Sequence, residues 1–338
     1  MVQVVLGKIA VSLCVLAIGW LGARTLRTGK QAPHLPALIS ILSRLVLDVS
    51  LPALAFTAIV KTAAPASPGE ALLIPIIGFG VFTLAALCGA ALAFLVASPP
   101  RRRTLIFVIA VPNWIYLPLP IAAGLYGAVG TRTVLLINVG ALLWLWTVGV
   151  FILSGQASLR SALRVIASRL GLWGTLAGIA VSVLAPGLQR YLAEPTATSG
   201  LFAVIPSIFF QSLELLGTLT IPLALLCTGA QLAELGQAGS ASASASGSAS
   251  GRELAAALLG RLLLAPLLTF AVLHLLPRLM PPPVQATVAL AAAMPVAVSC
   301  SMFTREFGGD DKLAATSILV STVISLVTVP ALLALWPQ

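Results

Sequence analysis

Charged side chains are scarce in this chain. Of its 338 residues only 8% are Asp, Glu, Lys or Arg, while 59% are apolar, and the mean hydropathy is +1.08. Soluble domains carry about 25% charged residues, so this chain has too few to solvate a soluble fold. The composition excludes a soluble enzyme and a disordered scaffold. It also excludes a nucleic-acid binder despite the net charge of +10, because Lys and Arg in such a chain act as orientation signals in the loops.

Residues that bind metals or carry out catalysis are also few. His34 and His274 are far apart and have no acidic residue at ligand spacing, so we expect neither a metal site nor a cofactor. No HExxH motif is present, and Asp48 has no second membrane aspartate beside it. The sequence therefore does not indicate an intramembrane enzyme. The cysteines, which lack a CxxC pair and are expected to be buried thiols, are Cys14, Cys88, Cys227 and Cys300.

What the chain has in abundance is apolar runs of about 20 residues, each long enough to cross a hydrocarbon core of about 30 Å as a helix. They predict an all-α polytopic membrane protein with ten transmembrane helices. No small-residue cleavage pattern follows the first run, so we expect it to be retained as helix one. The ten helices are predicted at about residues 2–23, 36–60, 71–97, 104–126, 133–153, 163–185, 201–235, 253–276, 284–304 and 313–336.

Basic residues in the connections predict the orientation. Twelve of them follow helices one, three, five, seven and nine, and four lie in the alternate connections. By the positive-inside rule the first set is cytoplasmic, so both termini face outward. The connection after helix seven contains residues 236–251, a Gly/Ser/Ala stretch expected to be flexible. It is either a tether between two moving parts or an inert loop extension.

Prolines recur at matching places in the two halves of the chain. The matching segments are LVLDVSLPAL (45–54) with LLGTLTIPLA (215–224), and AVPNWIYLPL (110–119) with AMPVAVSCSM (293–302). Pro112 thus matches Pro295, so helices four and nine occupy the same place in two five-helix units. Because five is odd, the second unit lies inverted in the membrane relative to the first. Inverted repeats with interrupted helices at corresponding positions are typical of secondary transporters.

The proline density of helix four predicts a break in that helix. Pro112, Pro118 and Pro120 each lack a backbone donor, and each ring clashes with the carbonyl one turn back. Backbone groups freed in this way line protein or a wet cavity, because lipid cannot satisfy them. Half-helix N-termini favour anions, and freed carbonyls favour cations. We expect a substrate site where residues 111–120 cross residues 294–301; the alternative is ordinary proline kinks in packed helices.

The segment VPNWIYLPLPIAAGLYG (111–127) resembles the fourth helix of the auxin efflux carrier family, with its Pro-Asn pair and a second Pro six residues after the first. The resemblance extends over most of the chain, in the same order and spacing. Its other segments are LSRLVLDVSLPALAF (42–56), LELLGTLTIPLALLCTGAQLA (213–233) and FTREFGGDDKLAATSILVSTVISLVTVP (303–330).

The resemblance implies a fold of two inverted five-helix repeats in which broken helices four and nine cross, as in sodium–proton antiporters and bile-acid symporters. It places the first repeat at residues 1–153, a cytoplasmic connector at 154–162 and the second repeat at 163–338. Helices 1, 2, 6 and 7 are then a scaffold, and helices 3–5 and 8–10 a transport unit of elevator type. A homodimer is implied as well.

Polar and proline residues at the two breaks are the expected substrate contacts. Asn113 matches the substrate-contacting Asn of the family and is otherwise a helix cap. Asn138 either binds substrate or joins helices, and Ser301, like Ser299, either lines the site or bonds backbone. The full predicted set is Pro112, Asn113, Trp114, Pro118, Asn138, Pro295, Val296, Ser299 and Ser301.

Some of these positions depart from the family pattern, which often has a small polar residue where this chain has Trp114 and a Gly where it has Leu117. Trp114 is therefore a lid, a stacking surface for an aromatic substrate, or a residue that faces lipid. Val296 stands where plant carriers tend to have an amide side chain, and Ser301 where they have a second proline. These departures bear on which substrate is carried; they do not bear on whether the chain is a carrier of this class.

Two acidic residues are candidates for coupling transport to an ion gradient. Asp48 lies in a predicted span, four residues after Arg44, and is either a proton carrier or half of a structural ion pair. Glu214 lies near the predicted outer end of helix seven.

The sequence therefore predicts a secondary transporter that moves a small organic anion (a carboxylate) by alternating access, driven by a proton gradient or the membrane potential. The alternative is a sodium-coupled symporter of the bile-acid type, whose sodium sites would need more polar side chains near the crossing. The expected partners are the anion, protons, the lipid bilayer and a second copy of the chain. The short loops indicate the inner membrane of a bacterium.

Overall fold

The structure is a computed structural model that describes residues 2–28, 34–61, 68–96, 98–154, 160, 164, 167, 170–193, 201–243, 251–276 and 279–336. Over these residues the backbone is helical apart from short connections and a single pair of bridged residues. The predicted all-α class is therefore confirmed for the described part of the chain.

The described part of the first half contains seven α-helices. The helix α2 continues into α3 through a π-helical turn, Val46–Ser50, and α6 continues into α7 through a second one, Leu145–Gly149. A 3-10 turn, Ala93–Leu95, ends α4. The helices are α1 (Val2–Thr28), α2 (Leu35–Leu45), α3 (Leu51–Lys61), α4 (Pro68–Leu92), α5 (Pro99–Ala110), α6 (Pro118–Trp144) and α7 (Val150–Ser154).

The described part of the second half contains nine more. A third π-helical turn, Gly260–Leu264, joins α12 to α13. The helices are α8 (Leu170–Leu184), α9 (Pro186–Ala193), α10 (Leu201–Thr218), α11 (Thr220–Ala243), α12 (Gly251–Leu259), α13 (Ala265–Leu275), α14 (Pro282–Ala292), α15 (Ser299–Phe307) and α16 (Asp311–Leu335).

Six continuous helical stretches in the described residues are long and apolar enough to cross a membrane, or seven if the bent pair of α8 and α9 is one span. The sequence predicts ten. Part of the difference arises because helices four and nine are each divided into halves too short to cross alone, and because the second half of helix four runs into helix five. The stretches are Leu35–Lys61, Leu72–Leu95, Pro118–Ser154, Ile205–Glu234, Gly251–Leu275 and Asp311–Leu335.

The connection predicted at residues 127–132 is a single residue. Gly127 has φ 57° and ψ −134°, and helix continues on both sides of it. Such angles are open to glycine and strained for other residues. Arg132, expected in this outer connection, is instead buried within α6.

Three irregularities in the helices lie one turn before a proline. Pro52 follows the turn Val46–Ser50, Pro266 follows the turn Gly260–Leu264, and Pro222 follows the interruption at Leu219. A proline ring clashes with the carbonyl four residues earlier, so the backbone widens or opens at that point. The prolines that match in the two halves, Pro52 and Pro222, thus both mark a local break.

Helix α11 extends further than the sequence predicts. It runs through Ala243, so helix covers residues 236–243 of the stretch expected to be flexible. Its Ala and Ser residues are compatible with helix. Residues 244–250 of that stretch lie outside the described residues.

Helices α1 and α11 approach so closely that their backbones touch at glycines. A Cβ atom added at Gly19 would lie 2.2 Å from the carbonyl oxygen of Leu226, and one added at Gly229 would lie 2.0 Å from that of Leu16. Small residues allow this approach, which maximises van der Waals packing between membrane helices. The two helices therefore form a closely packed pair.

Candidate functional site

The two breaks lie side by side and run antiparallel. We call residues 111–117 the first break and residues 293–298 the second break. The Asn113 amide donates to the Pro295 carbonyl at 2.7 Å, and the Ala297 amide donates to the Val111 carbonyl at 3.1 Å, so Pro112 and Val296 form an antiparallel bridge. Each break thereby satisfies backbone groups of the other, as burial away from water requires.

Four half-helices meet at the paired breaks. Helices α5 and α14 end there, and α6 and α15 begin there. Their axial dipoles place two negative carbonyl ends and two positive amide ends around one small region. No side chain caps the start of α6 or α15, whose N-cap residues are Leu117 and Val298. Backbone oxygens cap them in part, because the Leu119 amide donates to the Ile115 carbonyl and the Cys300 amide to the Ala297 carbonyl, each at 3.0 Å.

Asn113 is buried in the first break, with 5% of its surface exposed. Its backbone amide is used in the bridge, whereas among the described contacts its side chain makes no hydrogen bond. It is not the N-cap residue of α6, so the capping role considered from the sequence is not what this geometry shows. The carboxamide remains able to donate to a ligand.

Trp114 is fixed inside the bundle. Its indole Nε1 donates to Asn138 Oδ1 at 2.9 Å, and its ring meets the buried ring of Phe82 edge-to-face at 5.5 Å. The lipid-facing position considered from the sequence therefore does not apply. Asn138 is buried in α6 and joins that helix to the first break, while its amide nitrogen retains donor capacity.

The second break is held mainly through its backbone. Ser321 of α16 accepts a hydrogen bond from the Val296 amide at 3.1 Å. Ser301 is buried and donates to the Val298 carbonyl at 3.2 Å, which is the backbone-bonding alternative foreseen for it. Ser299 is half-buried at the start of α15. Pro295, like Val296, is buried.

An apolar pocket lies beside Pro112. Its water-accessible volume is about 10 Å³, room for about one water molecule and far below the ~300 Å³ at the lower end of small-molecule sites. Its wall is formed by α4, α6, α14 and the first break, through Gly78, Val81, Phe82, Pro112, Ile137, Val288 and Ala291. Pro118 is buried at the first position of α6, beyond this pocket wall.

Sequence reasoning missed Arg261, which is fully buried at the π-helical turn between α12 and α13. Its Nη1 donates to the Ile109 carbonyl at 2.7 Å, and its Nη2 donates to the Ala292 carbonyl. These carbonyls lie at the ends of α5 and α14. The signal was present in the sequence, because a basic residue in the middle of an apolar span is a functional candidate by default.

A second charged group joins three helices at one end of the bundle. Arg101, near the start of α5, donates to Asp310 Oδ2 at 2.8 Å and to Glu253 Oε2 at 3.0 Å. Asp310 is the N-cap of α16, and its own amide donates to Thr104. The beginnings of α5, α12 and α16 are thereby tied together.

The two coupling candidates lie outside the paired breaks. Asp48 is exposed within the turn Val46–Ser50, and among the described contacts it forms no ion pair with Arg44. The π-helical turn shifts the angular spacing that would bring an i, i+4 pair together. Glu214 pairs with Lys61 at 2.5 Å, and both side chains are about two-fifths exposed. Within the described chain, no group of three His, Cys, Asp or Glu residues could hold a metal ion.

An all-helical bundle with several long apolar helices and buried, mutually satisfied backbone breaks defines an integral membrane protein. The family described as membrane transport protein matches residues 4–164 and 172–333. The chain belongs to this family, that of the auxin efflux carriers, which confirms the resemblance noted in the sequence. It is a transport family and not an enzyme family. A comparison with curated proteins finds no match.

Proposed function

We propose that this protein is a secondary active transporter that moves a small organic anion across the membrane by alternating access. The observation that carries the proposal is the antiparallel pairing of the two breaks through Pro112 and Val296, in a chain of the membrane transport family. Buried breaks are expensive and mark substrate pathways in membrane proteins. The amide end of α15, which no side chain caps, favours an anionic ligand there.

The proposed architecture is ten transmembrane helices in two inverted repeats, with both termini outside. It is supported by local breaks at matching prolines and by the two regions of the family match, which are separated at residues 165–171. Helix pairing supports it as well. The close contact of α1 with α11 is matched by that of α8 with α3, where a Cβ atom added at Gly174 would lie 2.4 Å from the Pro52 carbonyl oxygen. In two inverted repeats these are equivalent pairs, helix one with seven and helix six with two.

The same contacts support a division into a scaffold and a moving unit. The scaffold in this proposal contains helices one, two, six and seven, which here include α1, α3, α8 and α11. The moving unit contains the paired breaks and the helices tied by Arg101 to Glu253 and Asp310. An elevator motion of this unit would carry the ligand while its half-helix ends stay aligned.

The ligand contacts proposed are those at the paired breaks, led by Asn113 and Asn138. The drive is a proton gradient or the membrane potential, with Asp48 and Glu214 as coupling candidates. Asp48 is the stronger of the two, because its carboxylate forms no ion pair among the described contacts whereas Glu214 pairs with Lys61. We place the protein as a homodimer in the inner membrane of a bacterium.

Uptake by proteoliposomes tests the proposal. The purified protein is reconstituted, and entry of radiolabelled indole-3-acetate, benzoate and other small carboxylates is measured under an imposed pH gradient or potential. We expect saturable uptake of at least one carboxylate that a protonophore or a potential clamp changes. Uptake that instead requires sodium identifies the symporter alternative. Absence of carboxylate uptake, with the protein folded and correctly inserted, would contradict the proposal.

A further inference from the structure

Arg261 joins the ends of the two helices that lead into the paired breaks. Its guanidinium donates through Nη1 to Ile109 near the end of α5, and through Nη2 to Ala292 at the end of α14. Helices α5 and α14 are the half-helices that lead into the first and second breaks. One side chain therefore binds both helices at the points where they enter the paired breaks.

The backbone around Arg261 is arranged to bring it there. A π-helical turn at Gly260–Leu264 places Arg261 at an irregular point of the span, and such turns are frequent at functional sites. Gly260 allows the approach, because an added Cβ would lie 2.5 Å from Ile109 Cδ1. The irregularity thus has a local consequence: it lets the guanidinium reach the end of α5.

The charge balance at this point is unusual for a membrane interior. Arg261 is fully buried, and within the described residues no carboxylate pairs with it. A buried charge without a partner is strongly unfavourable. The two helix carbonyl ends that it binds carry about −0.5 charge each, so together they offset about one positive charge.

The amide ends of the other two half-helices have no such partner. Helices α6 and α15 begin at the paired breaks, and no side chain caps either of them. Pro118 and Pro120 carry no N–H in the first turn of α6. With the carbonyl ends offset by Arg261, the start of α15 is therefore the main positive end left at the breaks. The Nε of Arg261 is also buried without a hydrogen-bond partner.

We propose that Arg261 is a positioning residue that clamps the two broken helices together and makes their meeting point selective for anions. The clamp follows from its two carbonyl bonds alone. The selectivity rests on the proposed transport of an organic anion. Arg261 itself does not touch the ligand in this proposal; it acts through the half-helix ends that it holds.

Hydrogen exchange tests the clamp without any ligand. Exchange of backbone amides in peptides that span the two breaks is measured by mass spectrometry for the detergent-solubilised full chain. The variants are Arg261→Met, which removes the charge and both bonds, and Arg261→Lys, which keeps the charge but lacks the fork that binds two carbonyls. Arg305→Met is the control, because Arg305 is an exposed basic residue that pairs with Asp311.

We expect exchange at Asn113, Val296 and Ala297 to accelerate by about tenfold or more in Arg261→Met, the scale of losing a hydrogen bond to a charged group. Arg261→Lys is expected to show a smaller acceleration, and Arg305→Met none. If Arg261→Met does not fold, Arg261→Lys decides alone. The clamp is overturned if every folded Arg261 variant exchanges its amides at the breaks as slowly as the wild type does.

Ligand charge tests the selectivity. Binding of indole-3-acetate and of its neutral amide, indole-3-acetamide, is compared by calorimetry or scintillation proximity. The ratio of the two affinities is the readout, because a purely structural defect would weaken both ligands alike. We expect the preference for the carboxylate to persist in Arg261→Lys and to fall by about tenfold in a folded Arg261→Met variant.

An unchanged ratio in folded Arg261→Met, or a preference lost equally in Arg261→Lys, would overturn the selectivity. If the wild type binds neither ligand, the proposed selectivity for these anions is wrong. The result then also counts against the proposed function. The exchange experiment still decides the clamp in that case. The two proposals can thus fail separately.

Discussion

Asn138 and Ser321 hold the two breaks from equivalent positions in the chain. Each lies 26 residues after the proline of its own break, Pro112 or Pro295. Asn138 accepts from the Trp114 indole, and Ser321 accepts from the Val296 amide. The bonds differ in kind, one to a side chain and one to the backbone. Both nevertheless attach the break to a helix later in the same half, so the correspondence of the two halves extends beyond their prolines.

The bond between Trp114 and Asn138 should contribute measurably to stability. We expect a coupling of about 0.6–1.7 kcal/mol between Trp114→Phe and Asn138→Ala in a double-mutant cycle, the range found for hydrogen bonds between membrane helices. The measurement is unfolding of the protein in detergent micelles. Purely additive effects of the two substitutions would show that the bond does not fix the indole.

Asn113 is expected to bind the ligand through its free carboxamide. Asn113→Ala should weaken binding of a transported carboxylate by about 1–3 kcal/mol, the scale of a hydrogen bond to a charged group, while the protein remains folded. Equilibrium binding to the purified variant measures the change. Thr228→Val is the matched control, because Thr228 is a buried polar residue of α11 whose hydroxyl bonds only its own helix at Ala224. Equal affinities for wild type and Asn113→Ala would remove Asn113 from the site.

The contact between α1 and α11 predicts a sharp difference between two glycines of one helix. Gly19→Ala places a methyl group 2.2 Å from the Leu226 carbonyl oxygen. A methyl group added at Gly22 has nothing within 4 Å. We expect Gly19→Ala to lower the free energy of unfolding by about 1–3 kcal/mol through overpacking, and Gly22→Ala to leave it unchanged or slightly raised. Similar effects of the two substitutions on thermal unfolding would contradict the packing described.

Arg101 should matter for the integrity of the moving unit, and Arg305 should not. Arg101 binds two carboxylates from different helices in a partly buried cluster. Loss of Arg101 should lower the free energy of unfolding by about 1–3 kcal/mol, because Asp310 and Glu253 then lose a charged partner. Arg305 forms an exposed pair with Asp311, and such pairs contribute about 0–1 kcal/mol. Thermal unfolding of Arg101→Met beside Arg305→Met measures the contrast; a larger effect at Arg305 would refute the role given to the cluster.

The breaks could be predicted from the sequence because their cause is local. Pro112 and Pro295 remove donors and create clashes wherever they stand in a helix, and their recurrence in both halves is visible without a structure. The polarity of Asn113 and Asn138 in apolar runs gave a second local signal. Which partner each side chain takes could not be predicted, because the bond from Trp114 to Asn138 depends on how separate helices pack.

The role of Arg261 could not be predicted for the same reason. Its carbonyl partners are 152 and 31 residues away, and only the folded bundle brings them together. The sequence also predicts helix ends wrongly where tertiary structure decides them. Gly127 turns the chain without a loop, and α11 continues into residues whose composition is typical of a linker.

Cysteine crosslinking tests whether the paired breaks move against the scaffold. Leu117 of the first break packs in one apolar cluster with Leu51, Ala55 and Ala58 of α3. A cysteine at Leu117 is combined with one at each α3 position in turn, and crosslinks are formed with and without an imposed gradient. Transport should stop in the crosslinked protein and return on reduction.

If the breaks move, we expect the cysteine at Leu117 to crosslink to two α3 positions at least one turn apart, and the gradient to change the proportion of the two crosslinks. A helix turn is about 5.4 Å, well beyond the reach of side-chain fluctuation about a fixed contact. Crosslinking to one α3 position only, under every condition and in a protein that transports, would contradict the account.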